Sequence, residues 1–225
     1  LLAPCENVMP EAFGLYLILT DPVAGYERCT EAAVAEGVRY LQLRMKERPR
    51  NQVVDTATTL RSITTGSHTL LIVNDDVHAA MEADADGVHL GQGDLSLQEA
   101  RRIWGSPGRH YGLSTHDESQ EAAARALAPD YIGVGPVFAT PTKKVPDPVL
   151  GVDRAARIVR ASPLTTVAIG GIDAERLPGL LQAGVTNFAV VRAVNLASDP
   201  REAIRSLMRV WRDNVQTRGA RREEP

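Results

Sequence analysis

The sequence predicts a single-domain (β/α)8 TIM barrel, an α/β fold, and three observations carry that expectation. Short apolar, β-branched runs alternate with helix-period segments along the chain, the pattern of βα units wound around a parallel sheet. The runs number eight, which suits a closed barrel better than an open doubly wound sheet. Between Leu15 and Asn214 the composition shows no linker-like shift and no low-complexity stretch. One domain over residues 15–214 is therefore expected, after an N-terminal extension of residues 1–14. Beyond Val215 almost no apolar residue remains, so residues 215–225 read as a flexible tail.

The elements follow in order. The first strand reads LYLILT from Leu15, before a helical segment containing AAVAEG; the second reads VRYLQLR from Val38, before VVDTATTLRSI. The third is TLLIVN from Thr69, and Asp76 stands ready to cap the helix VHAAMEA. The fourth is DGVHL from Asp86; Ser96 and Glu99 then have capping-box spacing at the start of LQEARRI. The fifth is HYGLS from His110, with Thr115 or Ser114 as a candidate cap of the helix containing EAAARAL. The sixth is DYIGVG from Asp130, followed by a long loop, residues 135–151, and then DRAARIVRA. That loop is long for this fold and reads as an active-site lid. The seventh strand, TTVAIG from Thr165, precedes AERLPGLLQAG, and the eighth, NFAVV from Asn187, precedes REAIRSLMRVWRDN.

Composition narrows the function. Of 225 residues, 44% are hydrophobic and 24% charged, ordinary globular usage, and a net charge of -3 gives no basic footprint for nucleic acid. No apolar run approaches the ~20 residues of a membrane span. Cys5 and Cys29 form no CxxC pair and no metal-type spacing with the histidines, which favours a reduced compartment, and LLAPCENVMP lacks the features of a signal peptide. The cytoplasm is the expected location. Oligomeric state, a homo-oligomer included, is left open.

In a barrel of this kind the active site lies at the C-terminal ends of the strands. There, LQLRMK places Gln42, Arg44 and Lys46 on one face and Leu41, Leu43 and Met45 on the other. Charges on a face turned inward need water or an anion. The other strand ends contribute Asn74 and Asp75 in VNDD, Asp94 in HLGQGD, Ser114, and Thr140, Thr142 and Lys143 in GPVFATPTKK. Asp commonly caps helices, but Ser96 and Asp76 already serve the fourth and third, which leaves Asp75 and Asp94 over. Two carboxylates on neighbouring strands suit Mg2+, which takes one or two protein carboxylates and completes its shell with water and phosphate oxygens. Arg44, Lys46 and Lys143 could be ordinary surface charges; beside that pair they describe a Mg2+-diphosphate site. AIGGID, with Gly170 and Gly171 after strand seven, and AVVRAV after strand eight suggest a second anion site built on backbone N–H groups; a glycine turn made for tight packing is the plainer alternative. His89 in VHLGQ reads as a satisfied strand residue rather than an acid or base.

The motifs QLRMK, VNDD, GVHLGQGD, GLSTHD, YIGVGPVFATPTKK, VAIGGI and AVVRAV, in that order, resemble those of the thiamine-phosphate synthase family. The resemblance implies the joining of 4-amino-2-methyl-5-hydroxymethylpyrimidine diphosphate to 4-methyl-5-(2-hydroxyethyl)thiazole phosphate, with release of diphosphate. It implies that Gln42, Arg44, Lys46, Asn74 and Lys143 hold the pyrimidine diphosphate, with Arg44, Lys46 and Lys143 catalytic. Asp75 and Asp94 would hold one Mg2+ per active site, and Ser114 would touch the pyrimidine. Thr140, Thr142, Gly171 and the backbone near Val191 and Arg192 would hold the thiazole phosphate. Arg192 stands where members commonly carry Ser. The rival readings are a thiazole tautomerase, a sugar-phosphate isomerase or epimerase, and a thiamine-phosphate sensor.

Overall fold

The computed structural model describes residues 12–142 and 147–222, with side chains described as far as Val215. Eight parallel strands close into a barrel in chain order, β8 pairing back onto β1. The strands are β1 (Leu15–Leu19), β2 (Tyr40–Leu43), β3 (Leu70–Asn74), β4 (Gly87–Leu90), β5 (His110–Thr115), β6 (Tyr131–Val134), β7 (Thr166–Ile169) and β8 (Phe188–Val190). The helices between them are α1 (Tyr26–Ala35), α2 (Arg50–Thr64), α3 (Val77–Glu82), α4 (Leu97–Ile103), α5 (Glu118–Leu127), α6 (Gly151–Ala161) and α7 (Leu177–Gln182). After β8 come the short α8 (Arg192–Asn195) and the long α9 (Pro200–Arg222). The predicted end of the barrel at Asn214 therefore falls inside a helix, and residues 215–222, expected as a tail, continue it.

Alternation along each strand divides the apolar residues between two shells. Leu15, Leu17, Leu19, Leu41 and Leu43 turn outward onto the helices, where they bury Leu60, Ile204 and Leu207. Tyr16, Ile18, Tyr40, Ile72, Tyr131, Val167 and Ala189 turn inward and fill the lumen. Phe13 joins the inner shell from below, its ring 4.8 Å from that of Tyr40. The amides of Phe13 and Gly14 both donate to Asn187 Oδ1, at 2.8 and 3.1 Å. The barrel floor thus starts before Leu15, and these two residues of the expected extension belong to it.

The helix starts are locally encoded. Asp76 accepts from the Ala79 amide at the head of α3, and Ser96 with Glu99 forms a reciprocal capping box on α4. On α5 the cap is Asp117, not Ser114 or Thr115. Ser114 is thereby left for the lumen, and the Thr115 hydroxyl donates to the Gly133 carbonyl. Among the described residues no helix is long and apolar enough to cross a membrane.

Candidate active site

A cleft of about 1120 Å3 opens at the C-terminal ends of the strands. It is lined by Gln42, Arg44, Lys46, Asn74, Asp75, Asp94, Ser114, Thr140, Thr142, Gly171, Val191 and Arg192, so every predicted site residue that is described borders one space. Lys143 lies outside the described residues. The strand geometry explains the cationic corner. The Arg44 amide donates to the Leu19 carbonyl at 2.9 Å, which carries the β2 ladder past Leu43 and keeps alternate side chains on the lumen side. Gln42 is buried, and its Nε2 donates to Tyr16 Oη at 2.9 Å. Above it Arg44 has no carboxylate partner among the described residues, and the same is true of Arg192 across the mouth. Arg44, Thr142, Val191 and Arg192 also share a smaller recess of about 260 Å3.

Beside the cations sits an acid pair. Asp75 follows β3 with a left-handed backbone, φ 64°, a conformation Asp tolerates better than most residues. Its amide donates to the His89 carbonyl at 2.8 Å, which fixes the turn against β4. Asp94 is drawn back toward the same point because its Oδ2 accepts from the Gly91 amide at 2.7 Å. The two carboxyls interact directly, and Lys46 forms an ion pair with Asp75. Burial, then the hydrogen bond to Asp94 and its charge, push Asp75 up to about 6 against the opposing pull of Lys46. Asp94 lies below its usual range; burial works against this, but the hydrogen bonds from Asp75 and from Gly91 prevail. Two neighbouring carboxyls form a hard oxygen donor set whose mutual repulsion a divalent cation would relieve. Among the described residues no group of three or more His, Cys, Asp or Glu is placed to hold a metal, so an ion here would have only this pair as acidic protein ligands.

Under the cations the lumen carries a chain of polar side chains. Tyr16 Oη lies 2.8 Å from Tyr131 Oη, Tyr131 Oη lies 3.2 Å from His89 Nδ1, and His89 Nε2 lies 2.9 Å from Ser114 Oγ. Burial pushes His89 down to about 4 and keeps the ring neutral near pH 7. His89 is the satisfied strand residue that the sequence suggests. Sequence reading missed Tyr16 and Tyr131, because an aromatic residue in an apolar strand signals packing and its hydroxyl leaves no trace in the pattern.

The far wall joins the loops after β6 and β7. The amides of Val137 and Phe138 donate to the carbonyls of Ile169 and Gly170, at 2.8 and 3.0 Å, while Leu150 returns a bond to Pro136 at 2.8 Å. Both ends of the predicted lid are therefore tied down; residues 143–146 lie outside the description. Gly171 has φ 64°, and a Cβ there would come within 2.8 Å of the Ala139 carbonyl oxygen and of Phe138 Cβ. Close packing on Phe138 and Ala139 calls for glycine at 171, and the same packing brings it to the cleft wall with Thr140 and Thr142, whose hydroxyls are 3.1 Å apart. Arg176, unforeseen from the sequence, also lines this wall; its Nη1 donates to the Gly171 carbonyl at 2.7 Å and its guanidinium lies 5.2 Å from the centre of the Phe138 ring.

Residues 15–194 match the family described as thiamine monophosphate synthase. The chain belongs to that family. A thiamine-phosphate synthase of Myxococcus xanthus is 39% identical over 212 residues, covering 93% of this chain and 96% of that protein. One from Gloeobacter violaceus is 44% identical over 186 residues, 83% of this chain but 54% of that protein, so the chain spans about half the length of that longer relative. Among solved structures, thiamine phosphate pyrophosphorylase from Pyrococcus furiosus superposes with a TM-score of 0.81 at 30% identity, over 90% of this chain and 97% of that one. The motifs that resemble the thiamine monophosphate synthase family are the segments that border the cleft. Gln92, whose Nε2 donates to the Ser114 carbonyl at 2.6 Å, and His116, whose Nδ1 lies 2.7 Å from the Gly135 carbonyl oxygen, are further cleft-lining residues of this family member.

Proposed function

We propose that the protein is a thiamine-phosphate synthase, a transferase that joins 4-amino-2-methyl-5-hydroxymethylpyrimidine diphosphate to 4-methyl-5-(2-hydroxyethyl)thiazole phosphate and releases diphosphate. The observation that carries this reading is the composition of one cleft in a chain of this family. Two arginines without carboxylate partners among the described residues face it together with the neighbouring carboxyls of Asp75 and Asp94. Two anionic substrates would meet both features. The reaction is assigned to the barrel domain and, by the composition of the chain, to the cytoplasm.

In this reading Arg44, Lys46 and Lys143 hold the diphosphate as it departs, and Gln42, Asn74 and Ser114 hold the pyrimidine. Asp75 and Asp94 suit Mg2+, which would neutralise charge on the diphosphate oxygens when bound. Thr140, Thr142, Gly171 and the backbone at Val191 and Arg192 receive the thiazole phosphate. The Arg192 guanidinium supplies the charge where a hydroxyl is common in the family, and Arg176 supports the Gly171 loop by donating to its carbonyl. Departure of diphosphate leaves a pyrimidine-methylene cation, stabilised by its amino group, and the thiazole nitrogen attacks it. No protein nucleophile is needed. The side chains contribute charge complementarity to the leaving group and the alignment of two reactants.

Phosphorus NMR of the protein with both substrates and Mg2+ tests the reading. Inorganic diphosphate should accumulate only when both substrates are present. Diphosphate released from the pyrimidine substrate alone, at the same rate, would identify a hydrolase instead.

A further inference from the structure

The hydrogen-bonded chain in the lumen has a direction that follows from its members. Gln42 Nε2 can only donate, so Tyr16 Oη accepts from it. The Tyr16 proton then has Tyr131 Oη, at 2.8 Å, as its acceptor. Tyr131, having accepted one proton, directs its own to His89 Nδ1 at 3.2 Å. A neutral ring that accepts at Nδ1 carries its proton on Nε2, and that proton points at Ser114 Oγ, 2.9 Å away. With Gln42 donating, the opposite polarity would leave the Tyr16 proton without an acceptor in a position only 2% exposed, which is costly for a buried donor.

We propose that His89 and Tyr131 are positioning residues that fix the Ser114 hydroxyl as a hydrogen-bond donor into the cleft, where it recognises the lone pair of a pyrimidine ring nitrogen. Ser114 Oγ accepts a hydrogen bond from His89 and so keeps its own proton free to donate. A free serine rotor serves donors and acceptors alike; one polarised from behind favours acceptors. The two tyrosines thereby gain a role in substrate recognition that acts through Ser114. The inference rests on the reading of this cleft as the pyrimidine-diphosphate site.

The direct test is nitrogen-15 NMR of the histidine rings in the full-length, ligand-free protein near neutral pH, with the His89 signals assigned by their loss in His89→Gln. A protonated Nε2 and a bare Nδ1 are expected; a ring protonated at Nδ1 would overturn the proposal. Tyr131→Phe supplies the kinetic arm, since it keeps the ring and removes the donor to Nδ1. Its KM for the pyrimidine diphosphate should rise about tenfold, the worth of one oriented hydrogen bond, with the KM for thiazole phosphate unchanged and the Nε2-protonated population reduced. An unchanged tautomer with unchanged KM values would count equally against it. Should Tyr131→Phe fail to fold, the wild-type ring measurement decides alone. Because that measurement involves no turnover, a wild-type protein inactive in synthesis would sink the reading of the site separately from the polarity of the chain.

Discussion

Arg44 and Arg192 border the cleft without a carboxylate partner among the described residues, whereas Lys46 is held by Asp75. A cation with no internal partner contributes little to folding and much to an anion that arrives beside it. Arg44→Ala should therefore lower kcat/KM about a hundredfold or more while leaving the urea unfolding midpoint within error of wild type. A variant with near-normal turnover would remove Arg44 from the site. Asp75 makes the opposite kind of contribution. Burial, and after it the neighbouring Asp94 carboxyl, pushes its carboxyl up to about 6. A divalent cation must displace that proton, so Mg2+ affinity should climb as pH rises from 5 to 7 and level off above the Asp75 pKa. The sign follows because protonation competes with the metal below about 6 and not above it. Calorimetric titration of Mg2+ across this range checks it, and an affinity independent of pH would exclude Asp75 as a ligand.

At the level of loops and helices, two glycines show how backbone needs and function coincide. Gly171 lets the loop after β7 lie directly on Phe138 and Ala139. Gly171→Ala should push this loop away from Thr140 and Thr142 and raise the KM for thiazole phosphate at least tenfold, with diphosphate binding unchanged, since small misplacements at a site are expensive. Equal changes in both substrates would mean a general disturbance of the mouth. Gly14 closes the other end: at φ 80°, a Cβ there would lie 2.8 Å from the Trp211 ring of α9. Gly14→Ala should cost about 1–3 kcal/mol in chemical unfolding and leave kcat unaltered at 25 °C, because the strain falls at the floor of the barrel. A variant as stable as wild type would show that α9 yields without cost.

For the whole molecule, the closed barrel was legible because the alternation of strand and helix periods persists through eight units and the strand ends carry polar residues at matched positions. The caps Asp76 and Ser96 were legible because their chemistry is local. What escaped was set by closure of the barrel. Phe13 reads as the tail of an extension until the floor it fills exists, and the helical continuation to Arg222 has no apolar stripe to announce it. Tyr16 and Tyr131 stand on different strands, and their hydroxyls meet only when β1 and β6 face each other across the lumen. Arg176 likewise acquires its place only through Phe138, from another loop. Strands buried on both faces look uniformly apolar, so the sequence could not separate lumen from outer shell beyond the polar strand ends.

The central claim is that this barrel aligns two anionic substrates and joins them. Its most direct test incubates the purified protein with the pyrimidine diphosphate, the thiazole phosphate and Mg2+, then oxidises the mixture and reads thiochrome fluorescence. Fluorescence that requires both substrates and disappears with EDTA is the predicted result. Folded protein that binds thiazole phosphate yet yields no thiochrome would contradict the account.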